Sequence, residues 1–290
     1  MVSRGFQRFF ASGELLQICD VVPRPGTKRI RLAGTRDVFA VKDFSSFRTS
    51  DGTLVDPLED QWRDLESAAL PVVRGWLHGQ DEPYLDRELK VLAALHAVRS
   101  FGFNNTHARV SAELRQTALN PDRIARLRIS YLDEFGTEPR QGEIEERVLE
   151  LYDDQWGSDG MARIEGMVQL YNTALEMLAP KFIRVLIVAP GVPHQFVLGD
   201  TPFVHFRHHD LDIRVGLKAG LPLGEGHTIF MPVSPKVAVE FNSDEMEFAE
   251  VPAWGVQALN WISWRAAFSQ VAAHPSADLE RCLATRLPDS

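Results

Sequence analysis

Only two cysteines, Cys19 and Cys282, occur in 290 residues, near opposite ends of the chain. They supply neither a metal-ligand pair nor a disulfide framework, and reduced thiols of a cytoplasmic protein are the expectation. No apolar run approaches the roughly 20 residues that span a bilayer. The opening stretch around Phe6, Phe9 and Phe10 carries Arg4 and Arg8 but lacks a signal-peptide core or cleavage site, so no membrane partner is expected. A Gly-rich phosphate loop and a Gly-x-Ser-x-Gly elbow are both missing, which counts against the common nucleotide-dependent and serine-hydrolase classes. The run His205-Phe206-Arg207-His208-His209-Asp210 has no second ligand-bearing helix elsewhere to complete a metal site, and it is read as an exposed hairpin. No cofactor is named by the sequence.

What is present is an ordinary globular composition, 44% hydrophobic and 24% charged, with a net charge of −9. The charge is unevenly spread: residues 1–50 carry nine Lys/Arg against four acids, or +5, leaving −14 for the rest. Such a basic segment either steers a phosphate-bearing ligand or pairs with the acidic helices, and pairing within the fold is the commoner use.

The pattern along the chain is β, α, β, α. Strands are expected at 14–21, 27–32 and 37–44, separated by Pro and Gly, making a small N-terminal sheet. Asp56 followed by Pro57 and Glu59 signals a helix start, and Leu58, Trp62, Leu65, Ala69, Val72 and Trp76 mark its buried face. Helices at 85–99, 106–119, 121–135, 143–155 and 159–178 build a helical middle, with Asn104 to His107 read as a cap. Strand-like runs then lead to a closing helix at 254–272. The fold class is α+β: a small N-terminal sheet, a helical middle, and a C-terminal antiparallel or mixed sheet with a closing helix. One domain over 1–276 and a flexible tail at 277–290 are expected.

Several polar residues stand where chemistry or a buried network requires them. The apolar stripe Leu85, Leu89, Leu92 continues into His96 and Arg99, and a buried guanidinium needs an acid, for which Asp200, Glu59 and Glu66 are candidates. Asp200, held at a strand end by Thr201 and Pro202, is the first choice for a functional carboxylate; its plain alternative is an Asx-turn. Glu59 and Glu66 share a helix face, and Glu59 is already explained as a capping acid. Arg99 and Arg265 would clamp a phosphate or carboxylate if they converged.

The opening Val2-Ser3-Arg4-Gly5-Phe6-Gln7-Arg8-Phe9-Phe10 resembles the tail of the His-x-Val-Pro-Arg-x-Tyr-Leu-x-x-Phe element of bacterial domain-of-unknown-function family 4238. Glu59 and Glu66 on a helix, Arg99 closing the next, Phe196 to Pro202, Met231 to Pro235 and Asn260 are similar to that family in the same order. Two departures stand out: the family's leading histidine would fall before Met1, and the usual Asn of its turn is Thr201. The resemblance adds Thr201 and Asn260 to the residue list and implies no reaction. Two functions from different classes follow. One is a hydrolase-type, nuclease-like protein acting on a phosphate-bearing small molecule or nucleic acid, with Asp200 and Glu66 catalytic and Arg99, Arg265, Thr201, Asn260 and His96 binding substrate. The other is a non-catalytic ligand-binding or regulatory protein, in which the same residues form a buried polar network.

Overall fold

The computed structural model describes residues 2–22, 28–39, 47–48, 53–56, 58–156, 161–209, 212–219, 221–226, 228–242 and 247–283. A one-turn helix α1 (Arg4–Gln7) precedes β1 (Leu15–Asp20) and β2 (Ile30–Gly34), then the short pair β3 (Phe47–Arg48) and β4 (Leu54–Val55). Six helices follow: α2 (Glu59–Leu77), α3 (Leu85–Val98), α4 (Phe101–Ala118), α5 (Pro121–Phe135), α6 (Glu143–Trp156) and α7 (Met161–Leu178). The last third holds β5 (Phe182–Val188), β6 (Leu198–Gly199), β7 (Val204–His209), β8 (Asp212–Val215), β9 (Thr228–Ser234), β10 (Val237–Asn242) and β11 (Glu247–Val251). Helix α8 (Ala253–Ala266), β12 (Gln270–Ala273) and α9 (Leu279–Leu283) close the chain. The protein is α+β.

The six-stranded sheet runs β11-β5-β10-β9-β7-β8, with only β11 and β5 parallel. Its strands alternate between two buried faces, as a period of two requires. Ile183, Val185, Met231, Val239 and Phe241 pack under α1, α2, α3 and α7. Leu186, Val188, Phe230 and Ala238 pack instead against Val256 and Ile262 of α8. The family-like stretch Met231 to Pro235 ends β9 and enters the β9–β10 turn, where Ser234 Oγ accepts the Lys236 and Val237 amides at 3.3 and 3.1 Å. Pro232 is tolerated in a central strand because the register shifts there, opposite Ala238.

The N-terminal strands do not make a sheet alone. The second sheet is β2-β1-β12-β6, antiparallel throughout, so two C-terminal strands complete it. The strand expected at 37–44 is absent over its described part: Thr35 to Asp37 turn, and Val38 and Phe39 are buried in a bend. Residues 40–44 lie outside the described residues. Among the described residues the ion pairs of the basic segment lie within it, Arg4 and Arg8 with Glu14 and Arg31 with Asp20, rather than with the acidic helices. The cap expected at Asn104 to His107 is also corrected, since α4 starts at Phe101 and runs straight through. Asn and Thr cost a helix interior only about 0.7 kcal/mol or less each, too little to stop it. The expected tail folds in part: Leu279 and Cys282 of α9 are buried.

Other helix ends follow their signals closely. Asp56 Oδ1 accepts the Glu59 amide at 3.2 Å. Asn120 Oδ1 accepts the Asp122 and Arg123 amides, Pro121 starts α5, and Gly136 at φ +67° ends it.

Candidate functional site

Helix α3 carries its stripe to the end: Leu89 and Leu92 are fully buried, and His96 and Arg99 are 1% and 3% exposed. The helix therefore does not emerge into solvent at its C-terminal end. Arg99 Nη1 donates to Glu66 at 2.8 Å and Nη2 to Glu59 at 3.4 and 3.5 Å, with the guanidinium 5.5 Å from the Trp62 ring. Glu66 is available because the buried line of α2 is Trp62, Glu66, Ala69 and Val73. The expected line through Leu65 and Val72 is half-buried instead. Burial pushes the Glu66 carboxyl above its ordinary range, against the pull of Arg99 and of Ser3 on α1. Glu59, read as a capping acid, serves as the outer partner of Arg99.

His96 rests 4.5 Å from the Phe6 ring, and neither of its nitrogens has a partner among the described residues. Burial, and then the charge of Arg99, hold its pKa well below 6.5. His205 is depressed too, by burial, although its Nε2 lies 2.9 Å from the Leu221 carbonyl. A histidine that takes up its proton only on unfolding contributes stability above pH 6.5 that is lost as pH falls. Each should therefore add a slope of up to about 1.4 kcal/mol per pH unit below that point. Urea midpoints of wild type and His96→Leu between pH 7 and 5 check this: the wild-type midpoint should fall relative to that of the variant on acidification, and parallel profiles would count against a buried neutral His96.

Asp200 is 0% exposed and is neither an open carboxylate nor an Asx-turn. Its oxygens accept the Phe268 amide at 2.9 Å, the Ser269 amide and hydroxyl at 2.6 and 2.7 Å, and the Gln270 amide at 3.2 Å. These donors begin where α8 ends, so the carboxylate organises the entry into β12. Gln270 passes the link on, donating to Asp20, which pairs with Arg31. Ser269 and Gln270 were missed as partners because they stand 69 and 70 residues away in the chain. Asn260 clamps irregular backbone: its Oδ1 accepts the Val197 amide at 3.0 Å, and its Nδ2 donates to the Gln195 and Cys282 carbonyls.

Arg265 is exposed and lies 4.9 Å from the Trp261 ring. Among the described residues no hydrogen bond or ion pair joins Asp200 to Arg99, and none links Arg265 to either. Thr201 lines a small cavity with Ala97, Ser100, Phe203, His205 and Phe268, and its buried Oγ1 has no partner among the described residues. At about 30 Å³ the space suits roughly two waters. The run does lead into the β7–β8 hairpin, as read, but His205 is 4% exposed inside the six-stranded sheet, which corrects its reading as exposed. Side chains from 208 to 210 lie outside the described residues, among which no group of three His, Cys, Asp or Glu side chains could hold a metal. No helix among them is long and apolar enough to cross a membrane.

A larger concavity lies elsewhere. Helices α4, α5 and α6 enclose a groove of about 520 Å³ floored by Leu114, Leu127, Tyr131 and Leu151, with Arg123 and Arg147 among its lining residues. None of the residues expected to be functional reaches it.

A family model described as "Protein of unknown function (DUF4238)" matches residues 17–277. The chain belongs to DUF4238. The matched stretch contains Glu59, Glu66, Arg99, Asp200 and Asn260, whereas the opening element at 2–10 precedes it. No curated protein and no solved structure matches the chain. In this DUF4238 protein, the stretches that resemble the family's pattern fall on structural joints: the Arg99 pair, the Asp200 bridge, the β9–β10 turn and the Asn260 clamp.

Proposed function

We propose that this DUF4238 protein is a non-catalytic binding protein, whose ligand site is the groove of the α4–α6 arm. The observation that carries this reading is the sealed state of Asp200: four donors occupy its two oxygens and no surface remains for substrate. A hydrolase working on phosphate esters needs that carboxylate and the two arginines around one open cleft. The groove, by contrast, has the volume of ordinary small-molecule sites, about 300–1,000 Å³, and a mainly apolar lining. Arg123 and Arg147 are exposed and have no ion-pair partner among the described residues, which favours a ligand with an apolar body and an anionic head. Both cysteines are buried and free, with thiols pushed up by burial, which supports a cytoplasmic setting.

Titration with anilinonaphthalene sulfonate, displaced by dodecanoate, tests the proposal. Saturable binding is expected in wild type and in Asp200→Asn, with at least a tenfold loss in Leu127→Glu, whose new charge enters the apolar floor at about 2–3 kcal/mol. Hydrolysis of a nitrophenyl phosphodiester by wild type, abolished in a folded Asp200→Asn, would overturn it.

A further inference from the structure

Helix α5 has one buried residue, Ile124, in fifteen. Its side away from the groove carries Ile129 and Leu132, 61% and 40% exposed, with Arg126 and Asp133 along one flank. Arg128, on the other side of the helix, is taken by Glu145 at 2.7 Å. Arg126 and Asp133 have no hydrogen bond or ion pair among the described residues. They are seven positions apart, so they fall within about 20° of one another around the helix and about 10 Å apart along it.

That spacing has a property specific to two-fold pairing. When two copies of a helix cross antiparallel, each flank faces its own copy, and residues equidistant from the axis on opposite sides become neighbours. An axis near Ser130 sets Arg126 beside Asp133 of the partner subunit, and Asp133 beside the partner's Arg126. The same placement stacks Ile129 on its counterpart between these two ion pairs, and sets Leu132 about 3 Å along the axis from the partner subunit's Ile129. An apolar strip bracketed by a plus and a minus at equal distances is complementary to itself.

We infer that the outer face of α5 is a self-association surface, and that its occupant is a second copy of this chain bound antiparallel through α5. The inference is independent of the ligand reading, because the groove opens on the other side of the helix. One helix against its copy is near the lower limit of about 1,000 Å² for a specific interface. The dimer should therefore dissociate on dilution within the micromolar range.

Sedimentation equilibrium of the full chain between 2 and 200 µM tests it. Wild type should shift from mostly monomer to mostly dimer. Ile129→Glu should be monomeric throughout, and being exposed, it should keep the wild-type circular dichroism. Arg126→Glu and Asp133→Arg should each weaken association at least tenfold by placing like charges together. The double variant Arg126→Glu/Asp133→Arg should return to within about threefold of wild type, because the swapped pairs are again opposite in sign. A monomeric wild type at 200 µM overturns the inference, as does a dimer indifferent to Ile129→Glu or a double variant that fails to recover.

Discussion

Glu66→Leu should lower the unfolding free energy by about 3–5 kcal/mol, because it leaves the Arg99 guanidinium, 3% exposed, without its inner acid. Glu59, half open to solvent, would remain at 3.4 Å and cannot replace a buried partner. The double variant Glu66→Leu/Arg99→Leu should regain most of that loss. Its two leucines extend the lines Trp62–Ala69 on α2 and Leu89–Leu92 on α3, and no charge then needs offsetting. Arg99→Leu alone should fall between the two. Urea unfolding of the four proteins gives the coupling energy directly, and additive effects would show that the pair is not one unit.

The second large effect is at Asp200. Asp200→Ala should cost about 3–5 kcal/mol, since it strands the Phe268, Ser269 and Gln270 amides at the start of β12. The damage should spread beyond the site, because β12 lies between β1 and β6 and holds that sheet together. Asp200→Asn keeps one accepting oxygen and turns an amide group toward donors, so it should cost less, about 2 kcal/mol. Lys218 should not rescue either change: its ammonium, pushed down by burial, is already committed to the Ala267 carbonyl at 2.7 Å. Thermal melts of the two variants check the order, and equal small losses would mean that the β12 entry is held by other contacts.

Most signals whose deciding groups are near in the chain were legible, the cap expected at Asn104 to His107 being an exception. Asn120, Pro121 and Gly136 bound α5 because a cap acts within one turn. The His96–Arg99 continuation of the α3 stripe was readable because about three preceding turns set the phase of the buried face. Phase failed on α2, where Leu65 and Val72 compete with Glu66 and Val73. A hydrophobicity count assigns the acid outward, whereas the buried Arg99 draws it in. Asp200 drew attention for the right reason, a carboxylate fixed at a strand end. Its role could not be read, because its donors stand 68 to 70 residues further along the chain, beyond β7 to β11 and α8. The completion of the N-terminal sheet by β12 and β6 is equally non-local. The groove and outer face of α5 left no motif, because they arise where apolar residues at helical spacing outnumber the helices available to cover them.

Glu66, His96, Arg99, Asp200 and Asn260 are sealed into the fold rather than gathered at an open site. Hydrogen exchange at the Phe268, Ser269 and Gln270 amides tests this most directly, since all three donate to Asp200. In wild type they should exchange only through global unfolding, as slowly as the amides of β10 at the centre of the main sheet, and in Asp200→Ala they should exchange far faster. Exchange of these three amides within seconds in the folded wild type would show an open, solvated carboxylate and would contradict the claim.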